Sequence, residues 1–322
     1  MSVGAGQSSR SERIIDDAPA AENVAGQAPV PPQAHMPAPL PKGWPHRSRS
    51  RLVGLNRQSV HVQMWGAGKT LLFLHGAGAS GHSWHPVMEL LGQEYQVVVF
   101  DLPGHGFTKT SAGFAVSIEN VAQSTGALID ALDLDPHLII GHSAGAAIAL
   151  HGLSTDILSS NGFVAINGAF MPFPGAAGFL FPLFAKLLRL NPFVPHLFAG
   201  LGAKTDRIER LVRETGSATD IPTLDQYQYL LAQPSHVAGA LRMMANWDLR
   251  PLMGLARDCA VPSLFVCGQA DKAVAPEESR IAARTVLHGE LSELPDLGHL
   301  AHEEEPSLVS ALIKSFAQSV AE

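Results

Sequence analysis

The sequence predicts an α/β fold: a mostly parallel central sheet flanked by helices, with a helical cap insertion. Short apolar runs, typical of strands buried on both faces, alternate along the chain with longer segments of helical period. Strands that alternate with helices in this way pair in parallel, because each helix carries the chain back across the sheet. The 322 residues, 46% of them hydrophobic, are enough for one large domain of this class.

Six segments have the pattern of a strand. The first, residues 59–64, alternates polar and apolar residues, as a half-buried strand does. The other five are mainly apolar runs: residues 71–74, 95–100, 138–140, 162–166 and 263–266. Helical period is found in residues 85–91, 117–132, 144–153, 276–284 and 306–317.

The composition divides the chain into an arm, a core and an insertion. Residues 1–45 are rich in Ala, Pro, Gly and Ser without any period, so we expect a disordered N-terminal arm. Residues 46–167 and 251–322 carry the strand and helix patterns of the core. Residues 168–250 lack a buried-strand run and look helical, which predicts a cap over the sheet edge where parallel sheets bind ligands.

Charge and cysteine content restrict the class of protein. The formal net charge of −7 provides no positive field, so nucleic acid is not an expected partner. No secretory signal and no apolar stretch long enough for a membrane span are visible, so we expect a cytoplasmic protein. The two cysteines, Cys259 and Cys267, are too few for a disulfide framework and are expected to be buried thiols.

One glycine-rich segment resembles a nucleotide-binding loop but lacks its pattern. Residues 66–70 read Gly-Ala-Gly-Lys-Thr, like the end of a phosphate-binding loop. Gln63 stands where that loop needs a glycine, and the segment precedes a strand instead of following one. We therefore expect a hairpin turn here, and no nucleotide cofactor.

A nucleophile motif lies in the middle of the chain. Gly141-His142-Ser143-Ala144-Gly145 connects a buried strand to a helix, which is the context of a strained turn that exposes a serine. Side chains at the two glycines would clash in such a turn. Because a serine hydroxyl is a weak nucleophile, it needs a base and an acid that orients the base.

Candidates for that base and acid follow later strands. Asp271 comes just after a buried strand, and His299 follows the next predicted strand, so the chain has the order Ser, acid, His. His302 is a competitor for the base, but we expect it to have a structural role. Asn167 occupies another position where some enzymes carry the acid, but an amide cannot serve as one.

The oxyanion of an acyl-transfer reaction needs hydrogen-bond donors. His75-Gly76-Ala77-Gly78 follows a buried strand, so we assign the backbone N–H groups of Ala77 and Ala144 to the oxyanion hole and expect His75 to be a buried hydrogen-bonding residue. The expected substrate pocket is lined by Gly76, Trp84, His142, Asn167, Phe170 and Trp247. We predict no metal site, because the pairs His82 with His85 and His299 with His302 lack a third ligand.

These motifs together resemble the α/β-hydrolase superfamily over about residues 50–320. The motifs are His75-Gly76-x-Gly78, Asp101-Leu102-Pro103-Gly104-His105-Gly106, Gly141-x-Ser143-x-Gly145, Asp271 and Gly298-His299. Asp101 and its glycines are expected to form a tight turn. A serine at the nucleophile position argues against the haloalkane dehalogenase and epoxide hydrolase branches, which have Asp there.

Further segments resemble the BchO family of magnesium-chelatase accessory proteins. They are residues 141–147, 166–169, 191–195, 243–249 and 297–304. The resemblance implies a role in bacteriochlorophyll biosynthesis, near magnesium insertion into protoporphyrin, and magnesium-chelatase subunits as partners.

Three hypotheses for function follow. The first is a serine hydrolase of that pathway, acting on a small-molecule substrate such as a porphyrin or another hydrophobic ester. The second is a non-catalytic protein that binds porphyrin or chelatase, motivated by the phenylalanines of the insertion: Phe170, Phe173, Phe179, Phe181, Phe184, Phe193 and Phe198. The third is a generic carboxylesterase. The apolar residues 179–190, which include Lys186 and Arg189, also predict peripheral contact with the photosynthetic membrane.

Overall fold

The computed structural model describes Met1 and residues 36–37, 40–111, 113–172, 195–196, 199–200 and 205–320. Every element described below belongs to the unit formed by residues 33–322, and the expected N-terminal arm lies outside the described residues except for Met1 and a few positions from residue 36 onward. Among the described residues, no helix is both long enough and apolar enough to cross a membrane.

The centre of the second unit is a mostly parallel sheet of ten strands within the described ranges. The strands are β1 (Met36–Pro37), β2 (Ser50–Leu55), β3 (Gln58–Trp65), β4 (Thr70–Leu74), β5 (Gln96–Phe100), β6 (Lys109–Thr110), β7 (Pro136–His142), β8 (Gly162–Ile166), β9 (Ser263–Gly268) and β10 (Gly289–Leu294). Their order is β1-β2-β3-β5-β4-β7-β8-β9-β10, with β6 paired to β3. The six strands from β5 to β10 along this order pair in parallel, and β1, β2, β3 and β6 pair antiparallel.

Helices cover both faces of this sheet. They are α1 (His85–Leu91), α2 (Ile118–Ala131), α3 (Ala144–Ser154), α4 (Thr205–Glu214), α5 (Leu224–Leu231), α6 (Pro234–Ala245), α7 (Leu252–Leu255), α8 (Pro276–Thr285), α9 (Ala301–Glu304) and α10 (Pro306–Ser319). Short 3₁₀ helices span Arg47–Arg49, Gly81–Trp84 and Ala256–Asp258. The predicted α/β fold class is confirmed, and the five predicted helices agree with α1, α2, α3, α8 and α10 to within two residues at each end.

Alternate residues of the central strands enter separate cores on the two faces of the sheet. In β4, Leu71 and Phe73 pack in the core that contains α1 and α10, whereas Leu72 and Leu74 pack in the core that contains α2 and α3. A strand that is buried on both faces needs apolar residues at consecutive positions, which is why these strands appear in the sequence as continuous apolar runs. Cys259 and Cys267 are buried free thiols, as predicted.

Two local predictions were wrong. The body of the protein begins before residue 45, because Leu40 and Trp44 are buried and pack together with Leu230 of α5. The turn at residues 66–69 is not a hairpin, because β5 lies between β3 and β4 in the sheet. Gly66 and Gly68 have φ values of 79° and 104°, which suit a glycine-rich reversal between two strands that do not pair with each other.

The described part of the insertion is helical. It comprises α4, α5 and α6, separated from β8 by residues that lie mostly outside the described ranges. The predicted membrane-contact segment, residues 179–190, and the phenylalanines at 173, 179, 181, 184, 193 and 198 lie outside the described residues.

Candidate active site

Ser143 is the single residue between β7 and α3. Its backbone has φ 50° and ψ −116°, a conformation that an L-residue adopts only under strain. The Ser143 N–H donates to the carbonyl of Ile166 at 3.1 Å, and the Ser143 carbonyl accepts from the N–H of Ala169 at 3.2 Å. These bonds to the end of the neighbouring strand β8 hold the strained turn in place.

Close backbone approach explains the two glycines of the motif. A Cβ on Gly141 would lie 2.5 Å from the backbone of Ala146, and a Cβ on Gly145 would lie 2.3 Å from the carbonyl oxygen of Leu74. Real Cβ atoms do not approach backbone this closely, so both positions require glycine for α3 to pack against β4 and β7.

His299 and Asp271 form a bonded pair at the same edge of the sheet. His299 Nδ1 lies 2.8 Å from Asp271 Oδ2, and both side chains are buried. With the Asp271 oxygen as acceptor, Nδ1 of His299 is the donor, and Nε2 is not used by this bond. Asp271 Oδ1 accepts from the backbone N–H groups of Ala273 and Val274 at 2.8 and 2.9 Å. With His299 and the Asn167 amide, which both face Oδ2, this carboxyl group has four donors.

The loop that carries His299 is held by three side chains. Ser217 Oγ accepts from the Leu300 N–H at 2.8 Å, and Glu304 Oε1 accepts from the Gly298 N–H at 3.0 Å. His142 Nε2 donates to the carbonyl of His299 at 2.9 Å. Burial holds the pKa of His142 well below its ordinary value, so this imidazole is neutral.

The N–H groups of Ala144, which directly follows Ser143, and of Ala77 in the loop after β4 lack an internal partner among the described residues. Ala144 is the first residue of α3, where the partial positive charge of the helix N-terminus favours an anion. Gly76 adjoins the serine, because a Cβ there would lie 3.1 Å from Ser143 Cβ.

The turn at residues 101–106 supports the loop after β4. Asp101 Oδ1 accepts from the Gly81 N–H at 2.8 Å, and Oδ2 accepts from the Phe107 N–H at 2.8 Å and from His61 at 2.9 Å. These donors, with His61 beside it, hold the pKa of Asp101 below its ordinary value despite burial. The prediction of a tight turn fixed by Asp101 is therefore confirmed.

His75 is a buried hydrogen-bonding residue, as predicted. Its Nε2 accepts from the Leu102 N–H at 2.9 Å, and its Nδ1 donates to the carbonyl of Gly76 at 2.8 Å. Burial lowers its pKa to about 4, so the imidazole is neutral and connects the two loops by hydrogen bonds alone.

The expected pocket residues have different surroundings. Gly76 and His142 lie against Ser143, and Asn167 bonds to Asp271. Trp84 and Phe170 have no exposed surface: Trp84 packs on His302 with ring centroids 4.3 Å apart, and Phe170 packs on Phe265 at 5.6 Å. Assigning these two to a substrate pocket was wrong, because they fill the protein core.

Trp247 and His302, the two remaining predicted positions, are both at least half-buried. Trp247 is half-buried and packs against the core on the α2 and α3 face of the sheet. His302 is fully buried, and burial lowers its pKa to about 3, which fits the structural role predicted for it. Within the described ranges, no three His, Cys, Asp or Glu side chains form a group that could hold a metal ion.

Several residues that support the site were not predicted from the sequence. Ser217, Glu278 and His236 bond to backbone groups around the site, from positions on the insertion or on α8. Nothing in the sequence marks them, since each partner lies between 80 and 160 residues away along the chain.

Comparison with known proteins agrees with this geometry. Residues 71–312 match the model of the alpha/beta hydrolase family. The chain is 38% identical over 284 residues to the magnesium-chelatase 30 kDa subunit of Rhodobacter capsulatus, covering 86% of this chain and 97% of that protein. It is 28% identical over 277 residues to the pimeloyl-(acyl-carrier protein) methyl ester esterase of Xanthomonas oryzae, covering 81% and 100%.

Solved structures share the fold. A thermophilic esterase from Thermogutta terrifontis superposes with a TM-score of 0.67 at 22% identity, over 89% of this chain and 98% of that one. An epoxide hydrolase, CorEH, superposes with a TM-score of 0.70 at 17% identity, over 83% and 97%.

Proposed function

This chain belongs to the α/β hydrolase family, and from that premise we propose that it is a serine hydrolase with Ser143 as nucleophile, His299 as base and Asp271 as the orienting acid. The observation that carries the proposal is the hydrogen-bonded pair of His299 and Asp271 at the sheet edge where the strained turn presents Ser143. A buried carboxylate that bonds one imidazole nitrogen leaves the other nitrogen free to accept a proton.

The reaction has two halves. The Ser143 hydroxyl oxygen attacks the carbonyl carbon of an ester, and His299 Nε2 takes the hydroxyl proton. The resulting oxyanion accepts hydrogen bonds from the N–H groups of Ala77 and Ala144, neither of which has an internal partner among the described residues. When the tetrahedral intermediate collapses, the bond to the alkoxy group breaks and His299 returns its proton to that group.

Water completes the cycle. His299 deprotonates a water molecule that attacks the acyl-serine, a second oxyanion forms at the same donors, and the carboxylic acid leaves as Ser143 regains its proton. Asp271 remains hydrogen-bonded to Nδ1 of His299 and stabilises the imidazolium. Two backbone donors and the Asn167 amide hold the Asp271 carboxyl group in position for this role.

We place this activity beside magnesium insertion in bacteriochlorophyll biosynthesis, with a porphyrin or another hydrophobic ester as substrate and magnesium-chelatase subunits as partners. The support is the relative named as a magnesium-chelatase subunit, which aligns over nearly its whole length. The sequence segments shared with the BchO family point to the same pathway. No cofactor is needed for the proposed chemistry.

The test is reaction of the purified protein with a fluorophosphonate probe, which phosphonylates only an activated serine. We expect labelling of the wild type, none of Ser143→Ala, and unchanged labelling of Ser307→Ala, an exposed serine on α10 that serves as control. A folded wild type that does not react, or a Ser143→Ala protein that still does, would contradict the proposal.

A second candidate function is binding of porphyrin or chelatase without turnover. It is favoured by the name of the same relative, which describes a subunit and not a hydrolase. Under this alternative, Ser143→Ala would retain full biological activity and saturable binding of protoporphyrin would be found without labelling. Hydrolysis of simple p-nitrophenyl esters with no porphyrin or chelatase binding would instead favour a generic carboxylesterase, in line with the esterase relatives.

A further inference from the structure

Helix α6 of the insertion touches two loops of the core through one imidazole. His236 Nε2 lies 3.0 Å from the carbonyl oxygen of Gly78, and its Nδ1 lies 3.0 Å from the backbone nitrogen of Gly106. Gly78 belongs to the oxyanion turn (residues 76–79), and Gly106 belongs to the aspartate turn (residues 101–106). A single side chain therefore connects three segments that are distant in sequence.

The chemistry of the two partners fixes the protonation of this ring. The Gly106 N–H can only donate, so Nδ1 of His236 must be the unprotonated nitrogen. The Gly78 carbonyl can only accept, so Nε2 carries the hydrogen. In the neutral ring, both nitrogens are therefore hydrogen-bonded. His236 is also buried, with 1% of its surface exposed. Burial lowers the pKa of His236, in agreement with a neutral ring.

The position of the helix itself is fixed one turn later. Gly239 packs directly on the aspartate turn, because a Cβ there would lie 1.8 Å from the carbonyl oxygen of Gly104. Residues three apart on a helix lie on the same face, so His236 and Gly239 form one contact surface of α6. This close approach leaves the imidazole little freedom to move away from its partners.

The bond to Gly78 completes the hydrogen bonding of the oxyanion turn. The Ala79 N–H donates to the carbonyl of Gly76 at 3.2 Å, and His236 holds the carbonyl of Gly78, so the peptide between Gly78 and Ala79 is bonded on both sides. Gly78 has φ 80°. Because glycine has no side chain, its backbone could vary in conformation, and the bond to His236 restricts it. Within the described structure, the N–H groups of Gly76, Ala77 and Gly78 donate to no protein group, and the Ala77 N–H is the one that we assign to the oxyanion.

We propose that His236 is a positioning residue, which holds the oxyanion turn so that the Ala77 N–H stays aimed at the reacting carbonyl. The inference rests on the proposed function, and it assigns part of the catalytic geometry to the insertion. Small displacements of an oxyanion donor are costly, because its contribution depends on alignment with the charge that develops in the transition state.

The experiment compares four proteins: wild type, His236→Ala, His236→Gln and the control Ser235→Ala, whose side chain is exposed on the same helix. The rate of fluorophosphonate labelling is measured against probe concentration. For His236→Ala we expect the limiting rate to fall roughly 10- to 100-fold while the half-saturating concentration stays nearly constant. His236→Gln can still donate from the end of its side chain and should recover part of the rate, and Ser235→Ala should match the wild type.

Hydrogen exchange provides a readout that does not need activity. In His236→Ala, peptides that cover residues 76–79 and 101–106 should exchange faster than in the wild type, with the remaining core unchanged. Unchanged exchange in both turns would overturn the inference, as would faster exchange with an unaltered labelling rate. If the wild type does not react with the probe, the proposed function fails, and the exchange comparison still decides whether His236 holds the turn.

Discussion

Asn167 donates a hydrogen bond of 2.8 Å from Nδ2 to Asp271 Oδ2, the same oxygen that faces His299 Nδ1 at 2.8 Å. Asn167 follows β8 with φ 47°, and Asp271 follows the neighbouring strand β9. Its amide also donates to the carbonyl of Gly298 at 3.2 Å, next to the histidine. Asn167 stands where some hydrolases carry their acid, and in this chain its amide bonds to Asp271, after the next strand.

We expect Asn167→Asp to make stability depend on pH. The introduced carboxyl group can replace the amide as a donor only when it is protonated, and burial beside Asp271 raises its pKa. Its native pKa is then higher than its unfolded value of about 3.9, so the free energy of unfolding falls as pH rises between these two values. Urea denaturation at pH 5 and pH 8 measures this change.

Asn167→Ala is the matched control for that prediction. It removes the same hydrogen bonds but adds no titratable group, so its destabilisation relative to wild type should be alike at the two pH values. An Asn167→Asp protein that loses as much stability at pH 5 as at pH 8 would show that Asp271 does not sense the introduced carboxyl group.

Local signals made the strained turn at Ser143 predictable from sequence, whereas the long-range contacts around it could not be predicted. The strained residue Ser143 and its two flanking glycines lie within five residues, so the motif is visible in the sequence even though the Leu74 contact that requires Gly145 is distant. The contacts of His236 join positions 130 and 158 residues apart and leave no local pattern. Trp84 and Phe170 show a further reason for failure, because an apolar residue near a motif is equally suited to a core or a pocket.

The edges of the sheet were harder to predict than its centre. Strands β4, β5, β7, β8 and β9 are buried on both faces and appear as apolar runs. Strand β2 contains Arg51 and Gly54 and is only partly buried, so it lacks both an apolar run and a clean alternation. Strands β1 and β6 have two residues each, too few for any period.

The packing of α3 against β4 predicts a large difference between two glycine substitutions. Gly145→Ala would place a Cβ 2.3 Å from the Leu74 carbonyl oxygen, so the strained turn must shift. We expect its free energy of unfolding to fall by about 1–3 kcal/mol, with labelling of Ser143 lost or strongly slowed. Denaturant titration and probe labelling measure the two effects.

Gly254→Ala is the comparison. Gly254 is exposed on α7, and an added Cβ meets no atom within 4 Å. Because alanine has a higher helix propensity than glycine, we expect this variant to be as stable as the wild type or more stable by up to about 1 kcal/mol. Equal destabilisation of the two variants would mean that general glycine effects, and not the contact with Leu74, determine the stability of the turn.

The buried carboxyl group of Glu303 should make the protein less stable as the pH rises. Its carboxyl group is buried and accepts from the hydroxyls of Thr223 and Tyr227, which connect α9 to the insertion. Burial raises its pKa from 4.5 to about 8. The folded state therefore binds a proton that the unfolded state releases, so this group lowers the free energy of unfolding as pH rises from 4.5 to about 8.

Glu303→Gln should remove this contribution. The difference in unfolding free energy, variant minus wild type, is expected to increase with pH over that range and to become constant above it. Urea denaturation at pH 5, 6.5, 8 and 9 provides the profile, and Glu290→Gln, an exposed position on β10, is the control without such a trend. A difference that stays constant from pH 5 to pH 9 would rule out a protonated Glu303.

The beginning of the insertion depends on one carboxylate of α8. Glu278 Oε2 accepts from the N–H groups of Phe170 and Met171 at 2.8 and 2.9 Å, directly after β8. In Glu278→Ala these donors lose their acceptor, and an unsatisfied buried donor costs about 1–3 kcal/mol. We therefore expect lower stability and faster proteolysis near residues 170–172, measured by denaturant titration and by mapping early cleavage sites. Glu278→Gln keeps one acceptor oxygen and should retain most of the wild-type resistance. If neither variant were cleaved faster than the wild type, the carboxylate would not be what attaches the insertion to α8.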